Sequence, residues 1–125
     1  MPDITEFITF LFVSDLDASH SFYADTLGLQ LTVDQGDCRI YKVTDTAFLG
    51  VCARPDRVIH DGMIVTVVTE DVDGLHQRLV AAGAFVESEP EHSEQYGIHH
   101  GFYRDPDGHL IEIQHFDDPD WSRTN

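Results

Sequence analysis

At 125 residues, the chain has room for one domain whose core needs no covalent staples. A formal charge of −16, with Lys42 the sole lysine, argues against nucleic acid and anionic membrane as partners, because phosphate contacts need a basic surface. The acidity is read either as a solvated surface, such as a salt-adapted organism carries, or as a field that steers a cationic ligand.

Nothing near Met1 reads as a signal peptide, and the longest apolar run, Phe7 to Val13, is too short to span a bilayer. A cytoplasmic protein is expected. In that compartment Cys38 and Cys52 are expected as two buried thiols, facing each other only if the intervening turn sets a favourable register.

In chain order, Phe7 to Val13 is a strand, followed by a helix over Leu16 to Leu27 with Ser14 and Asp17 placed as a capping box. Gly28 stops that helix. Three strands follow, near Leu29 to Asp34, Cys38 to Val43 and Ala47 to Ala53, joined by turns at Gln35-Gly36-Asp37 and Thr44-Asp45-Thr46. Arg54 to Asp61, with Pro55 and few apolar positions, is a linker.

The second half repeats the order. Met63 to Thr69 is a strand, and Val72 to Ala82 a helix with Val72, Leu75, Leu79 and Ala82 at helical spacing before Gly83. Strands are expected near Phe85 to Ser88, His99 to Arg104 and Leu110 to Phe116, with Glu89 to Gly97 a polar loop. Asp117 to Asn125 is a tail anchored by Trp121. Asp15 and Asp71, Asp17 and Asp73, and His20 and His76 recur at one constant offset, which marks a duplicated supersecondary unit. The chain therefore divides into module one (about 5–55), a linker (about 56–62), module two (about 63–116) and a tail (117–125), within a single domain.

The turn Asp105-Pro106-Asp107-Gly108 delivers the last strand. Pro106 presets a turn angle, and Gly108 accepts the positive φ a hairpin needs. Alternation puts Leu110, Glu112 and Gln114 on one face and His109, Ile111, Ile113 and His115 on the other. With a bulge at Gly108, His100 and Phe102 share the Glu112 face. A carboxylate in a dry core costs several kcal/mol unless paired, so that face borders a cavity, water or a cationic partner.

The doubled order, with FYADTLGLQL in the first half and FYRDPDGHLIEIQHF in the second, resembles the vicinal oxygen chelate superfamily of glyoxalase I, extradiol dioxygenases, and fosfomycin and bleomycin resistance proteins. The resemblance runs from about Phe7 to Phe116. It implies an α+β fold of two βαβββ modules whose curled mixed sheets form a cavity, usually in a homodimer. It also implies a divalent metal whose ligand positions fall here on Ile8, Ile64, Glu112 and, in less certain register, Gly50. Only Glu112 can ligate, and a transition-metal site needs about three protein ligands. No metal cofactor is therefore expected. The one alternative is a relocated His100 and Glu112 pair completed by His92 or solvent.

Family register further implies a cavity lined by Ile8, Phe10, Phe12 and Phe48 from module one, with Gly50 and Cys52 beside them. From module two it implies Ile64, Thr66, Val68, His100, Phe102, Glu112 and Gln114, with Tyr96 and Trp121 at the mouth. His20 and His76 are expected to face solvent. If His99 and His100 have no role, they are edge-strand residues.

Three functions follow. The first is a small-molecule-binding protein, similar to bleomycin resistance proteins, that holds a hydrophobic and in one version cationic ligand in an aromatic cavity without a metal. The second is a metal-independent isomerase or lyase with Glu112 and His100 as acid and base. The third is a metal-dependent glyoxalase- or dioxygenase-like enzyme with relocated ligands.

Overall fold

The computed structural model describes residues 2–123 and divides into two compact units, Met1–Ile59 and His60–Asn125. The last two tail residues, 124 and 125, lie outside the described part.

Unit one consists of β1 (Phe7–Val13), α1 (Leu16–His20), a π-helical turn (Ser21–Thr26), β2 (Gln30–Asp34), β3 (Cys38–Thr44), β4 (Ala47–Ala53) and a 3-10 turn (Pro55–Arg57) inside the expected linker. Its sheet has the order β1-β4-β3-β2. β1 runs parallel to β4, and the other pairs are antiparallel. A parallel pair cannot be joined by a hairpin, so the chain must cross over, and here the crossover includes the helix and the β2–β3 hairpin. Alternation sorts the residues. Leu11, Val13, Tyr41, Leu49 and Val51 are buried on one face together with Phe22 and Tyr23. Ile8 and Phe10 lie exposed on the other.

Three local expectations are corrected in this unit. The helix is capped by Asp15, not by a Ser14–Asp17 box: extended backbone at Asp15 turns its carboxylate toward the amides of Asp17 (2.8 Å) and Ala18 (3.4 Å). The helix also does not run regularly to Leu27. It widens after His20, where the Leu27 amide donates to the Phe22 carbonyl and the Thr26 hydroxyl to the Ser21 carbonyl, both five residues back. Finally, Cys38 and Cys52 form a disulfide instead of two thiols. The β3–β4 register makes them direct partners with Cα atoms 4.1 Å apart.

Unit two consists of β5 (Ile64–Val68), α2 (Val72–Ala81), β6 (Phe85–Ser93), β7 (Ile98–Arg104) and β8 (Leu110–Phe116), ordered β5-β8-β7-β6 with β5 parallel to β8. Asp71 caps α2 by accepting from the Gly74 amide at 2.9 Å. Tyr103, Ile111 and Ile113 are fully buried, as is Leu79 of α2. The β7–β8 turn follows the expected chemistry. Gly108 has φ +88, and one oxygen of Asp105 accepts from the amides of Asp107 and His109 at 2.9 and 2.8 Å.

Three more expectations change here. The polar loop is shorter than Glu89 to Gly97, because β6 continues to Ser93 and pairs Glu91 with His100 and His92 with His99. Pro90 is tolerated because β6 is an edge strand whose ladder shifts register between Ser88 and Glu91. His99 and His100 are accordingly on an inner strand, not an edge. The helix histidines do not simply face solvent either. His20 Nδ1 lies 2.8 Å from the Tyr41 hydroxyl, and His76 Nδ1 lies 2.7 Å from that of Tyr103. Both tyrosines are fully buried, and a buried hydroxyl needs a partner. No helix among the described residues is long and apolar enough to cross a membrane.

Candidate ligand-binding site

Glu112, with 8% of its surface exposed, is one of two buried carboxylates among the described residues of unit two; the other, Asp105, serves the β7–β8 turn. Two strands supply its partners. The parallel register sets Thr66 of β5 beside it, and the Thr66 hydroxyl donates to Oε1 at 2.8 Å. On the antiparallel side Phe102 is its direct partner in β7. His100, two residues before Phe102 and therefore on the same face, brings Nδ1 to 2.6 Å from Oε2. Each carboxylate oxygen thus has a donor.

A pocket of about 450 Å³ opens beside this pair, lined by Ile64, Tyr96, Ile98, His100, Phe102, Glu112, Gln114 and Phe116. The imidazole of His100 meets the Phe102 ring edge to face at 5.1 Å. Trp121 stacks on the lining residue Phe116 with ring centroids 4.1 Å apart and planes 15° apart. A mostly apolar concavity with a few convergent polar groups has the usual make-up of a small-molecule site.

Of the residues expected to line a cavity, Ile64, Tyr96, His100, Phe102, Glu112 and Gln114 come together in this pocket. Thr66 holds Glu112, and Trp121 backs Phe116. Val68 shares their strand face but is half-exposed outside the lining. Ile8, Phe10, Phe12 and Phe48 lie in unit one, on the sheet face that also carries Gly50 and Cys52. There the Phe10 ring covers Gly50, so that a Cβ at position 50 would meet it at 2.3 Å, and the Arg57 guanidinium sits 5.0 Å from the Phe12 ring centroid. His92 does not join His100 and Glu112. Its Nε2 contacts Asp117 Oδ2 at 2.8 Å.

The sequence from residue 5 to 113 matches the family model described as the Glyoxalase/Bleomycin resistance protein/Dioxygenase superfamily. The chain belongs to that superfamily. It is 25% identical over 117 residues to the uncharacterized protein YraH of Bacillus subtilis (strain 168), covering 82% of this chain and 91% of that one. Among solved structures, a glyoxalase-related enzyme from Fulvimarina pelagi superposes with a TM-score of 0.78 at 23% identity, covering 99% of this chain and 94% of that one. TioX from Micromonospora sp. ML1 gives 0.73 at 23% identity, covering 88% of this chain and 97% of its own. These likenesses establish the two-module α+β fold.

Superfamily membership makes the chemistry of the carried-over metal positions informative. Ile8, Ile64 and Gly50 have no side-chain donor, and Glu112 already has a partner at each oxygen. Among the described residues, no three His, Cys, Asp or Glu side chains cluster as a metal site would require. Of the four positions that the resemblance assigns to a metal, Glu112 alone carries a ligating side chain. A single carboxylate held by a hydroxyl and an imidazole instead makes a fixed hydrogen-bonding pair in an apolar wall.

Two lining residues, Ile98 and Phe116, are absent from the sequence-based site. Both continue a series already recognised, 98-100-102 on β7 and 112-114-116 on β8. Ile98 falls outside because the strand begins one residue before the expected start at His99. Phe116, at the end of its strand, carries no local signal that it lines a pocket.

Proposed function

We propose that this chain is a small-molecule-binding protein that holds a hydrophobic, planar ligand in the unit-two pocket without the superfamily metal. The observation that carries this reading is the aromatic pocket built around one buried, doubly hydrogen-bonded carboxylate. Phe102, Phe116 and Tyr96 supply stacking surface, while His100, Glu112 and Gln114 fix orientation. The acidic surface supports a ligand other than nucleic acid, and exposed Phe7, Phe10, Met63 and Phe85 support a homodimer. Sizing by light scattering checks the dimer.

Trp121 is the sole tryptophan and stacks on a pocket residue, so its emission reports occupancy. Titrating aromatic compounds should give saturable changes in Trp121 fluorescence that Phe102→Ala weakens about tenfold, in line with the loss of a buried aromatic contact. No saturable change across neutral, cationic and anionic aromatic compounds would remove this reading.

The 2.6 Å contact between His100 and Glu112 favours a second reading, a metal-independent proton-transfer enzyme. Glu112 would orient the imidazole while Nε2 takes and returns a proton beside a carbonyl, as an isomerase or lyase requires. Glu112→Gln should then abolish turnover but retain binding. Unchanged turnover removes the role.

A further inference from the structure

The hydrogen bonds of Glu112 determine what its pocket can recognise. An ionised carboxylate only accepts, so with the Thr66 hydroxyl on Oε1 the contact at Oε2 uses an Nδ1–H of His100. The neutral imidazole then carries its lone pair on Nε2. That nitrogen has no hydrogen-bond partner among the described residues and keeps accessible surface, on a side chain that is 16% exposed and lines the pocket. The carboxylate is less available. Its side chain is 11% exposed, and each oxygen already has a donor.

From this arrangement we infer that the pocket selects a neutral planar molecule with a weakly acidic O–H or N–H on its edge, which donates to His100 Nε2, and that it does not select a cation. The inference rests on the small-molecule reading above and names its ligand class. Glu112 supports the acceptor: its contact at Nδ1 fixes the orientation of the ring, and Thr66 holds the carboxylate in place. A cationic ligand finds that charge largely buried, with the Glu112 side chain 11% exposed and only the second acceptor site of each oxygen left for a new contact. The Gln114 side-chain amide, on the same face, has no hydrogen-bond partner among the described residues and can serve a second polar atom of the ligand.

The test is calorimetric titration of wild type and His100→Phe with 1-naphthol, 1-methoxynaphthalene and 1-naphthylmethyl-trimethylammonium, repeated with indole and N-methylindole for the N–H case. The phenylalanine keeps the ring and removes the acceptor, and circular dichroism checks its fold. Wild type should bind 1-naphthol at least tenfold tighter than its methyl ether, and His100→Phe should reduce that ratio below threefold. Indole exceeding N-methylindole likewise would extend the class to N–H donors, whereas equal affinities would confine it to O–H.

Equal affinity of wild type for naphthol and methoxynaphthalene would overturn the inference while leaving a binding pocket. So would tightest binding of the ammonium compound, or an unchanged ratio in a folded His100→Phe. If His100→Phe does not fold, His100→Gln and the wild-type ratio decide. Failure of every naphthalene and indole probe to bind wild type would overturn both the inference and the reading beneath it.

Discussion

Glu112 has its value only in company. A buried carboxylate that loses one donor keeps its desolvation penalty and loses what offset it, which costs about 1–3 kcal/mol. Thr66→Val, nearly isosteric, removes the donor at Oε1 and should lower urea stability by that amount with an unchanged denaturant slope. In a Glu112→Leu background the same substitution should cost under about 0.5 kcal/mol, because the group it served is gone. Equal losses in both backgrounds would mean that Thr66 acts through packing. The alternation around Gly108 made the shared face of His100 and Glu112 legible, since two strands joined by a tight turn fix each other's register. The Thr66 bond was not legible in the same way. It depends on the parallel register of β5 against β8, which no local pattern encodes.

At the scale of elements, each helix is tied to its sheet by the same device, a histidine on the buried hydroxyl of a tyrosine two strands away. The sequence revealed the repeat of His20 and His76 but not its meaning, because the tyrosines come from β3 and β7, where the spacing between halves is no longer constant. Strand ends were similarly hidden. Pro90 and the charges around it read as loop until pairing with β7 carries β6 to Ser93. The tyrosine link has a pH signature. Burial first, and then the charges of Glu89 and Asp73, push the Tyr103 hydroxyl up to about 12. The unfolded chain therefore releases this proton at lower pH than the folded one. The contribution is intact below about pH 10, the ordinary tyrosine value, and is lost as pH rises toward 12. Alkaline unfolding of Tyr103→Phe should thus be flatter over this window than that of wild type, despite a loss of about 1 kcal/mol at neutral pH from the missing hydroxyl. Parallel pH curves would show that Tyr103 does not titrate in unfolding.

For the whole molecule, the charge and the disulfide oppose each other. A chain at −16 repels itself when compact, and a covalent link between β3 and β4 limits what the unfolded chain can gain by expanding. Cys38 and Cys52 are separated by 14 positions, and closing a loop of that size removes about 3 kcal/mol of unfolded-state entropy at 25 °C. Reductant should therefore lower the urea midpoint of wild type by the equivalent of about 2–3 kcal/mol, and the Cys38→Ser, Cys52→Ser double variant should start low and ignore reductant. A wild-type midpoint that does not move would mean that the bridge constrains nothing the sheet has not already fixed. The same bond bears on where the protein works. Disulfides persist in oxidising compartments and are rare in reducing ones, so the state of this bridge in the cell tests the expected cytoplasmic placement. Alkylating cells before lysis and weighing the intact protein decides the matter: unmodified cysteines mean the bridge exists in the cell, and two added alkyl groups mean that the protein works as a dithiol, at the lower of its two stabilities.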